Sequence, residues 1–148
     1  MVEIDFLHGP QFDLTKRSLQ RFVANLIKKH RVIMVWLGTP CTTWSRARRG
    51  GGSGPPPIRT NEHIWGLPHL SDCDQNKINK GNLMLKFSAY IFRLCIRHKV
   101  AVALENPHSS MLWQTPQMKY LLQHREVDSD YTDFCQEGCL FRKRTRIM

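Results

Sequence analysis

The sequence has no long apolar run and few acidic residues. Its longest apolar stretch, from Val32 to Leu37, falls far short of the roughly 20 residues that a membrane-spanning helix needs. No secretory signal peptide is recognisable at the start of the chain, so we expect an intracellular protein, in the cytoplasm or nucleus of a host. Only 12 Asp and Glu stand against 22 Lys and Arg, which gives a net charge of +10.

Cysteines are too few, and wrongly spaced, for a disulfide framework or a zinc finger. There are five, an odd number, and they show no paired metal-binding spacing. Cys135 and Cys139 form one pair, but no second pair completes a tetrahedral site, so we expect no metal. Structural or free thiols in a reducing compartment are the simplest interpretation.

The length of 148 residues predicts one domain, 1–148, with enough chain to bury a core. The excess of positive charge, with an isoelectric point near 9.8, favours a polyanionic partner such as nucleic acid. Basic proteins without such partners exist, so charge alone does not decide the function.

The central motif is an apolar stretch followed by a turn that carries a cysteine. The run from Val32 to Leu37 predicts a strand buried on both faces of a parallel sheet, and Gly38 ends it. Cys41 lies four residues after this strand, next to Pro40, which restrains the backbone. Because α/β sheets bind ligands beyond the carboxyl ends of their strands, the position suits a nucleophile.

The same organisation recurs later in the chain. Apolar spacing predicts a helix from about Asn82 to His98, with Cys95 in the core, and then a buried strand from Val100 to Leu104. Glu105 follows that strand as Cys41 follows the first. A salt bridge to an arginine would explain Glu105 if it stood alone, whereas Cys41 at the end of a neighbouring strand favours a chemical role.

The beginning of the chain predicts a strand, a helix and a crossover to the Val32 strand. Residues Val2 to Leu7 have the pattern of a short strand, and apolar residues from Leu19 to Ile27 recur at helical spacing. Strand, helix and strand at this spacing indicate a βαβ unit of a parallel sheet.

A long basic loop, 46–80, is predicted after Ser45. Arginines at its root precede glycine and proline runs, and neither standard phosphate-loop pattern is present. Two interpretations stay open: phosphate contacts to nucleic acid, or a solvated insertion. The arginines concerned are Arg46, Arg48 and Arg49.

The end of the chain predicts a helix from about Ser109, which Pro116 interrupts or delays, and then a hairpin at the sheet edge. In its last strand, alternation puts Arg142, Arg144 and Arg146 on one face. A basic tail that binds nucleic acid without catalysis is the alternative interpretation of this cluster.

Three of these segments together resemble the cytosine-C5 DNA methyltransferases. The stretch from Gly38 to Ser45, GTPCTTWS, is similar to the family's Gly-x-Pro-Cys-Gln-x-Phe-Ser, with Thr42 in place of Gln. Glu105-Asn106-Pro107 resembles its Glu-Asn-Val, and Arg142-x-Arg144-x-Arg146 its Gln-x-Arg-x-Arg. The resemblance covers nearly the whole chain and looks closest to short members in viruses and mobile elements.

The resemblance implies an α/β fold, a Rossmann-like parallel sheet flanked by helices, incomplete and ending in an antiparallel hairpin. It implies transfer of a methyl group from S-adenosylmethionine to C5 of cytosine in DNA. Cys41 would form the covalent adduct, Glu105 would hold the ring, and Arg144 and Arg146 would complete the catalytic set. Ser45, Arg142 and the loop arginines would contact DNA.

The resemblance also implies a cofactor site formed by Asp5, Asp13 and Pro40. Two alternatives stay open, since Asp5 would equally suit a solvated strand end and Asp13 the N-cap of the first helix. The family's glycine-rich cofactor segment does not precede Val2, and no target-recognition region follows the third motif. We therefore expect a truncated member whose activity is in doubt.

Two other functions remain to be weighed. A catalytically inactive protein that binds nucleic acid through the loop and the tail would show steeply salt-dependent binding that is unaffected by Cys41→Ala. A thiol hydrolase would need a histidine beside Cys41, and no histidine stands at a predicted strand end.

Overall fold

The computed structural model describes residues 3–45, 55–138, 140 and 143–148. The predicted DNA contacts Arg46, Arg48, Arg49 and Arg142 lie outside these residues. Four strands form one mixed sheet in the order β1-β2-β4-β3. Their bounds are β1 Met34–Gly38, β2 Ala101–Pro107, β3 Asp130–Asp133 and β4 Arg144–Ile147.

Only one pair of strands is parallel. β1 and β2 pair in parallel, whereas β4 pairs antiparallel with both β2 and β3. The α/β class is confirmed, and the predicted parallel sheet is reduced to this one pair. The late hairpin is confirmed as β3 and β4, although β4 lies inside the sheet and β3 forms its edge.

Three α-helices accompany the sheet: α1 Arg17–Lys28, α2 Asp72–His98 and α3 Pro116–Leu122. α2 begins ten residues before the predicted start because Ser71 caps it, its hydroxyl accepting from the backbone N–H of Asp74 at 3.2 Å. Lys99 in the left-handed conformation ends it. α3 starts at Pro116, so the proline delays the helix as predicted, after a 3₁₀ turn, Met111–Gln114.

At β1, one face of the sheet is packed against helices. Val35, Leu37, Val102 and Leu104 point into two apolar clusters that also contain residues of α1 and α2. We call this side the covered face. The alternate residues Met34, Trp36 and Ala101 form the open face, where Met34 is 52% and Trp36 57% exposed.

Three predictions about the first half of the chain are wrong. The prediction that β1 is buried on both faces is wrong, because β1 is the edge strand of the sheet and, among the described residues, no layer covers Met34 and Trp36. The strand predicted from Val2 fails because the described part of that segment forms a 3₁₀ turn, Phe6–His8. The observed βαβ unit is therefore β1, α2 and β2, not the first strand with α1.

The segment predicted as a long loop is partly helical and partly anchored. α2 occupies its last part, from Asp72, and Ile58 and Arg59 before it are 2% and 4% exposed. Among the described residues, no helix is both long and apolar enough to cross a membrane.

Candidate active site

The parallel pairing of β1 and β2 brings Cys41 and Glu105 to one edge of the sheet. Gly38, the last residue of β1, is paired in register with Glu105, and Cys41 lies three residues beyond Gly38. The thiol-bearing residue is half-buried. The two strand ends predicted to carry chemistry are therefore neighbours.

Hydrogen bonds tie the cysteine turn to the end of β2. The side-chain amide of Asn106 donates to the carbonyl of Thr39 at 2.6 Å, and Asn106 is fully buried. The backbone N–H of Met111 donates to the carbonyl of Trp44 at 2.9 Å. Within the turn, the N–H groups of Trp44 and Ser45 both donate to the carbonyl of Cys41. Each end of the turn is thus held by the segment that carries Glu105.

Arg59 locks the other side of the turn. Its Nε donates to the carbonyl of Thr43 at 3.0 Å, and its Nη2 to the Thr43 hydroxyl at 3.1 Å. Nη1 reaches the Ile64 carbonyl and Asn82, and the guanidinium carbon lies 3.5 Å above the ring of Trp44. Burial lowers the pKa of Arg59 to about 10, so the group stays charged at neutral pH.

A glycine lets α2 approach this turn. A Cβ atom added to Gly81 would lie 2.5 Å from the Thr43 hydroxyl and 3.1 Å from Nη2 of Arg59. Any larger residue at Gly81 would displace the hydrogen bonds between Arg59 and Thr43. The helix that precedes β2 therefore contacts the turn directly.

Glu105 is mostly buried and has a lysine partner. Its Oε1 lies 3.3 Å from Nζ of Lys143, and 18% of its side chain is exposed. A salt bridge to an arginine was the alternative interpretation of Glu105. In the structure the salt-bridge partner is a lysine. The carboxylate is held near the sheet edge while part of it remains accessible.

Arg144 and Arg146 lie on a common face, as the alternation predicts. Their guanidinium carbons are 5.4 and 5.6 Å from the ring centre of Tyr131, and Arg146 is also 5.1 Å from that of Trp113. Arg146 is paired in register with Asn106, so by alternation it lies on the opposite face from Glu105. In the described part of the chain, both arginines contact aromatic rings, and Arg146 also donates to Ser129.

A cavity of about 440 Å³ lies beside the turn, and all three predicted cofactor residues line it. Asp5 and Asp13 come from the segment before α1, and Pro40 from the cysteine turn. Phe6 and Phe12 add apolar surface, and open space lies above Gly38. The lining also includes Lys77 and Lys80 of α2.

The two aspartates of this cavity already accept local hydrogen bonds. Asp5 caps the first 3₁₀ turn by accepting from the N–H of Leu7 at 2.9 Å. Asp13 accepts from the hydroxyl and the N–H of Thr15, and these bonds hold the pKa of Asp13 below its usual value. Neither residue takes the alternative role predicted for it, since Asp5 ends no strand and Lys16 is the N-cap of α1.

Sequence reasoning missed two residues that shape the site. Asn106 was noted only as part of a motif, and its buried hydrogen bond to Thr39 has no signature in the sequence. Arg59 stands in a segment predicted to be a loop, so nothing distinguished it from the surface arginines. In contrast, the core position predicted for Cys95 is confirmed: it is fully buried, and burial raises the pKa of its thiol to about 11.

Comparison of the chain with protein-family models, with curated proteins and with solved structures finds no match.

Proposed function

We propose that this chain carries the catalytic half of a cytosine-C5 methyltransferase site and acts on DNA. The observation that supports the proposal most is the pairing of Gly38 with Glu105, which brings the cysteine turn and a carboxylate to one strand edge. The Asn106 bond to Thr39 and the Arg59 bonds to Thr43 hold the turn in place. A nucleophile in a fixed turn and a partly buried carboxylate at the same end of two paired strands suit covalent catalysis.

The chemistry begins with extrusion of the target cytosine from the stack, at a cost of a few kcal/mol. The Cys41 thiolate adds to C6 of the ring, and the electrons of the C5–C6 double bond move toward the ring carbonyl and N3. Glu105 passes a proton to N3 and accepts from the amino group, so the negative charge that develops on N3 is neutralised.

The adduct makes C5 nucleophilic. S-adenosylmethionine, when bound, supplies an electrophilic methyl group. Were the cofactor bound, C5 would take this methyl group and the cofactor would leave as its thioether. Loss of the C5 proton to water, return of the N3 proton to Glu105 and expulsion of the Cys41 thiolate would then restore the C5–C6 double bond. Lys143, whose Nζ lies 3.3 Å from Oε1 of Glu105, would hold that carboxyl group in place until the base arrives.

The dimensions of the cavity fit a cofactor of this kind. Its volume of about 440 Å³ lies within the range of small-molecule sites. Phe6 and Phe12 would pack against an adenine ring, and Asp5 or Asp13 would accept from ribose hydroxyls in addition to their present donors, since a carboxylate has several acceptor positions. Pro40 belongs to the cysteine turn, next to Cys41. A cofactor in contact with Pro40 would therefore be close to a cytosine bound at Cys41.

Calorimetric titration with S-adenosylmethionine is the first experiment. Saturable binding that is weakened about tenfold by Asp5→Ala, and left unchanged by Asp128→Ala at an exposed site outside the cavity, would support the proposal. A well-folded sample that gives no heat would contradict cofactor binding by this chain.

Covalent trapping tests the nucleophile. In the presence of S-adenosylmethionine, DNA containing 5-fluorocytosine should form an adduct that survives denaturation, because after methyl transfer the fluorine at C5 cannot leave as the proton does. We expect the adduct with wild type and with Cys73→Ser, and its loss with Cys41→Ser. Cys73 is an exposed free cysteine, so its substitution controls for general thiol reactivity. An adduct that persists in Cys41→Ser would refute the assignment.

One observation favours an inactive nucleic-acid-binding protein instead. Asp5 and Asp13 both already accept hydrogen bonds within their own segment, from Leu7 and Thr15. In that case DNA binding would be steeply salt-dependent and unchanged in Cys41→Ala, with no methyl transfer and no adduct.

A further inference from the structure

A groove of about 340 Å³ runs between α1 and α2 and shares no lining residue with the cavity described above. Three cations of α1 line it, namely Arg17, Arg21 and Lys28. They occur at spacings of four and seven residues, so they form one stripe along the helix. Tyr90 of α2, 40% exposed, lies on the opposite wall.

Among the residues that the structure describes, no acidic side chain lines the groove. The sequence has no aspartate or glutamate between Asp13 and Glu62, and α2 has none after Asp74. Within the described residues, the three cations have no hydrogen-bond or ion-pair partner, whereas Lys77 at the start of α2 pairs with Asp74. The positive charge of the groove is therefore not neutralised by the protein itself.

The length of the stripe matches several phosphates. From Arg17 to Lys28 the helix advances about 16 Å at roughly 1.5 Å per residue. One strand of a duplex carries a phosphate about every 3.4 Å along the axis, so the stripe spans about five phosphates. Arginine and lysine at such spacing make contacts that do not depend on base sequence.

The groove also begins close to the cavity beside the cysteine turn. Thr15 and Met84 line that cavity, and Arg17 and Phe87 line the groove, two and three residues farther along the same segments. A nucleic acid strand that leaves the sheet edge can thus continue along the helix pair. We propose that the groove between α1 and α2 binds the phosphodiester backbone of nucleic acid.

The packing of α1 argues against a membrane surface as the partner. A helix that lies on a membrane inserts its apolar face between lipids. Here Ala24 and Ile27 of α1 are buried in the cluster formed with α2, at 4% and 1% exposure. Most of the apolar face is therefore packed against α2, and one large apolar side chain of α1, Phe22, is 54% exposed beside the cationic stripe.

The experiment measures binding of a fluorescent DNA of mixed sequence by anisotropy, across a range of salt concentrations. The test variant is Arg17→Gln/Arg21→Gln/Lys28→Gln. The matched control is Arg31→Gln/Lys119→Gln/Arg125→Gln, which removes the same charge at exposed residues that do not line the groove. Each lost phosphate contact lowers the slope of log K against log salt by about 0.9 on duplex DNA.

We expect the test variant to lose about 2 to 3 units of slope and the control to lose less than one. Equal slopes in the two variants would overturn the proposal, as would the absence of DNA binding by the wild type. Binding to vesicles of anionic lipid that is lost in the test variant, without DNA binding, would also overturn it.

The proposal does not depend on chemistry at Cys41, and the experiment separates the two. The slope should be the same in Cys41→Ser as in wild type, and the test variant should still bind S-adenosylmethionine if the cofactor proposal holds. Thermal unfolding of both triple variants checks that the helices remain folded.

Discussion

The covered and open faces of the sheet carry similar side chains in very different surroundings. On the covered face, Leu104 is fully buried beneath α2. On the open face, Trp36 lies one residue before Leu37 in the same strand and is 57% exposed. The difference shows that an apolar strand sequence sets what a strand can bury, whereas the arrangement of the helices decides what it does bury.

The active-site candidate depends on the covered face. α2 reaches the cysteine turn through Gly81, and Trp44 of that turn belongs to the same apolar cluster as Leu104. Substitutions on the covered face should therefore disturb both stability and the turn, whereas those on the open face should disturb neither. The experiments below test this contrast.

The largest loss of the free energy of unfolding is expected from Leu104→Ala. Truncation of a fully buried leucine leaves a cavity and costs about 2 to 5 kcal/mol of the free energy of unfolding. Urea denaturation measures this loss. A cost below about 1 kcal/mol would mean that the covered face is not packed as tightly as its burial indicates.

Arg59→Ala should cost about 2 to 3 kcal/mol, because it leaves the buried Thr43 carbonyl without a donor and uncovers the ring of Trp44. Arg93→Ala, at an exposed arginine of α2, is the matched control and should change stability by less than about 0.5 kcal/mol. Equal losses in the two variants, measured by urea denaturation, would show that Arg59 does not hold the turn.

The buried thiol of Cys95 makes the covered side sensitive to alkali. Burial raises the pKa of Cys95 to about 11, so the unfolded chain ionises first as the pH rises. The contribution of this group to stability is complete below the pKa of the unfolded thiol. It is lost toward pH 11, by at most about 1.4 kcal/mol per pH unit.

Wild type should therefore lose stability more steeply than Cys95→Ala between pH 9 and 11. Denaturation curves at several pH values give the two slopes. Parallel slopes would mean that the thiol titrates normally in the folded protein.

The smallest change in the free energy of unfolding is expected from a substitution on the open face. Trp36→Gln should change the free energy of unfolding by less than about 1 kcal/mol, since over half of the side chain is already exposed. The measurement is urea denaturation at several protein concentrations. A loss as large as that of Leu104→Ala would contradict an open face and indicate that another chain covers it in solution.

The periodicity of apolar residues, and the residues that follow apolar runs, predicted much of the fold. The helical spacing around Leu94 and Cys95 and the apolar run before Glu105 depend on local pattern, and the helix and the strand that they predict are present. The helix predicted from about Ser109 begins only at Pro116, after a 3₁₀ turn. The start of α2 was missed because its first turns are polar and only the Ser71 cap marks them. An apolar run alone does not distinguish an edge strand from a central one, which is why the prediction for β1 is wrong.

The candidate site was predictable in part for the same reason. Cys41 and Glu105 are next to apolar runs, so their positions at strand ends follow from local pattern. The Arg59 contacts with Thr43 and the Asn106 contact with Thr39 join residues far apart in the chain, at separations of 16 and 67 residues. No local pattern encodes such pairs.

The wide separation of the paired strands also determines when the site can form. β1 cannot pair with β2 until the chain has closed a loop of more than 60 residues, and loop closure of this length slows folding. During synthesis, β1 leaves the ribosome well before β2 has been made. Until translation has passed Asn106, the Cys41 thiol is therefore present without Glu105, the carboxylate of the paired strand. The nascent chain carries the Cys41 thiol long before the segments that surround it in the folded protein have been made.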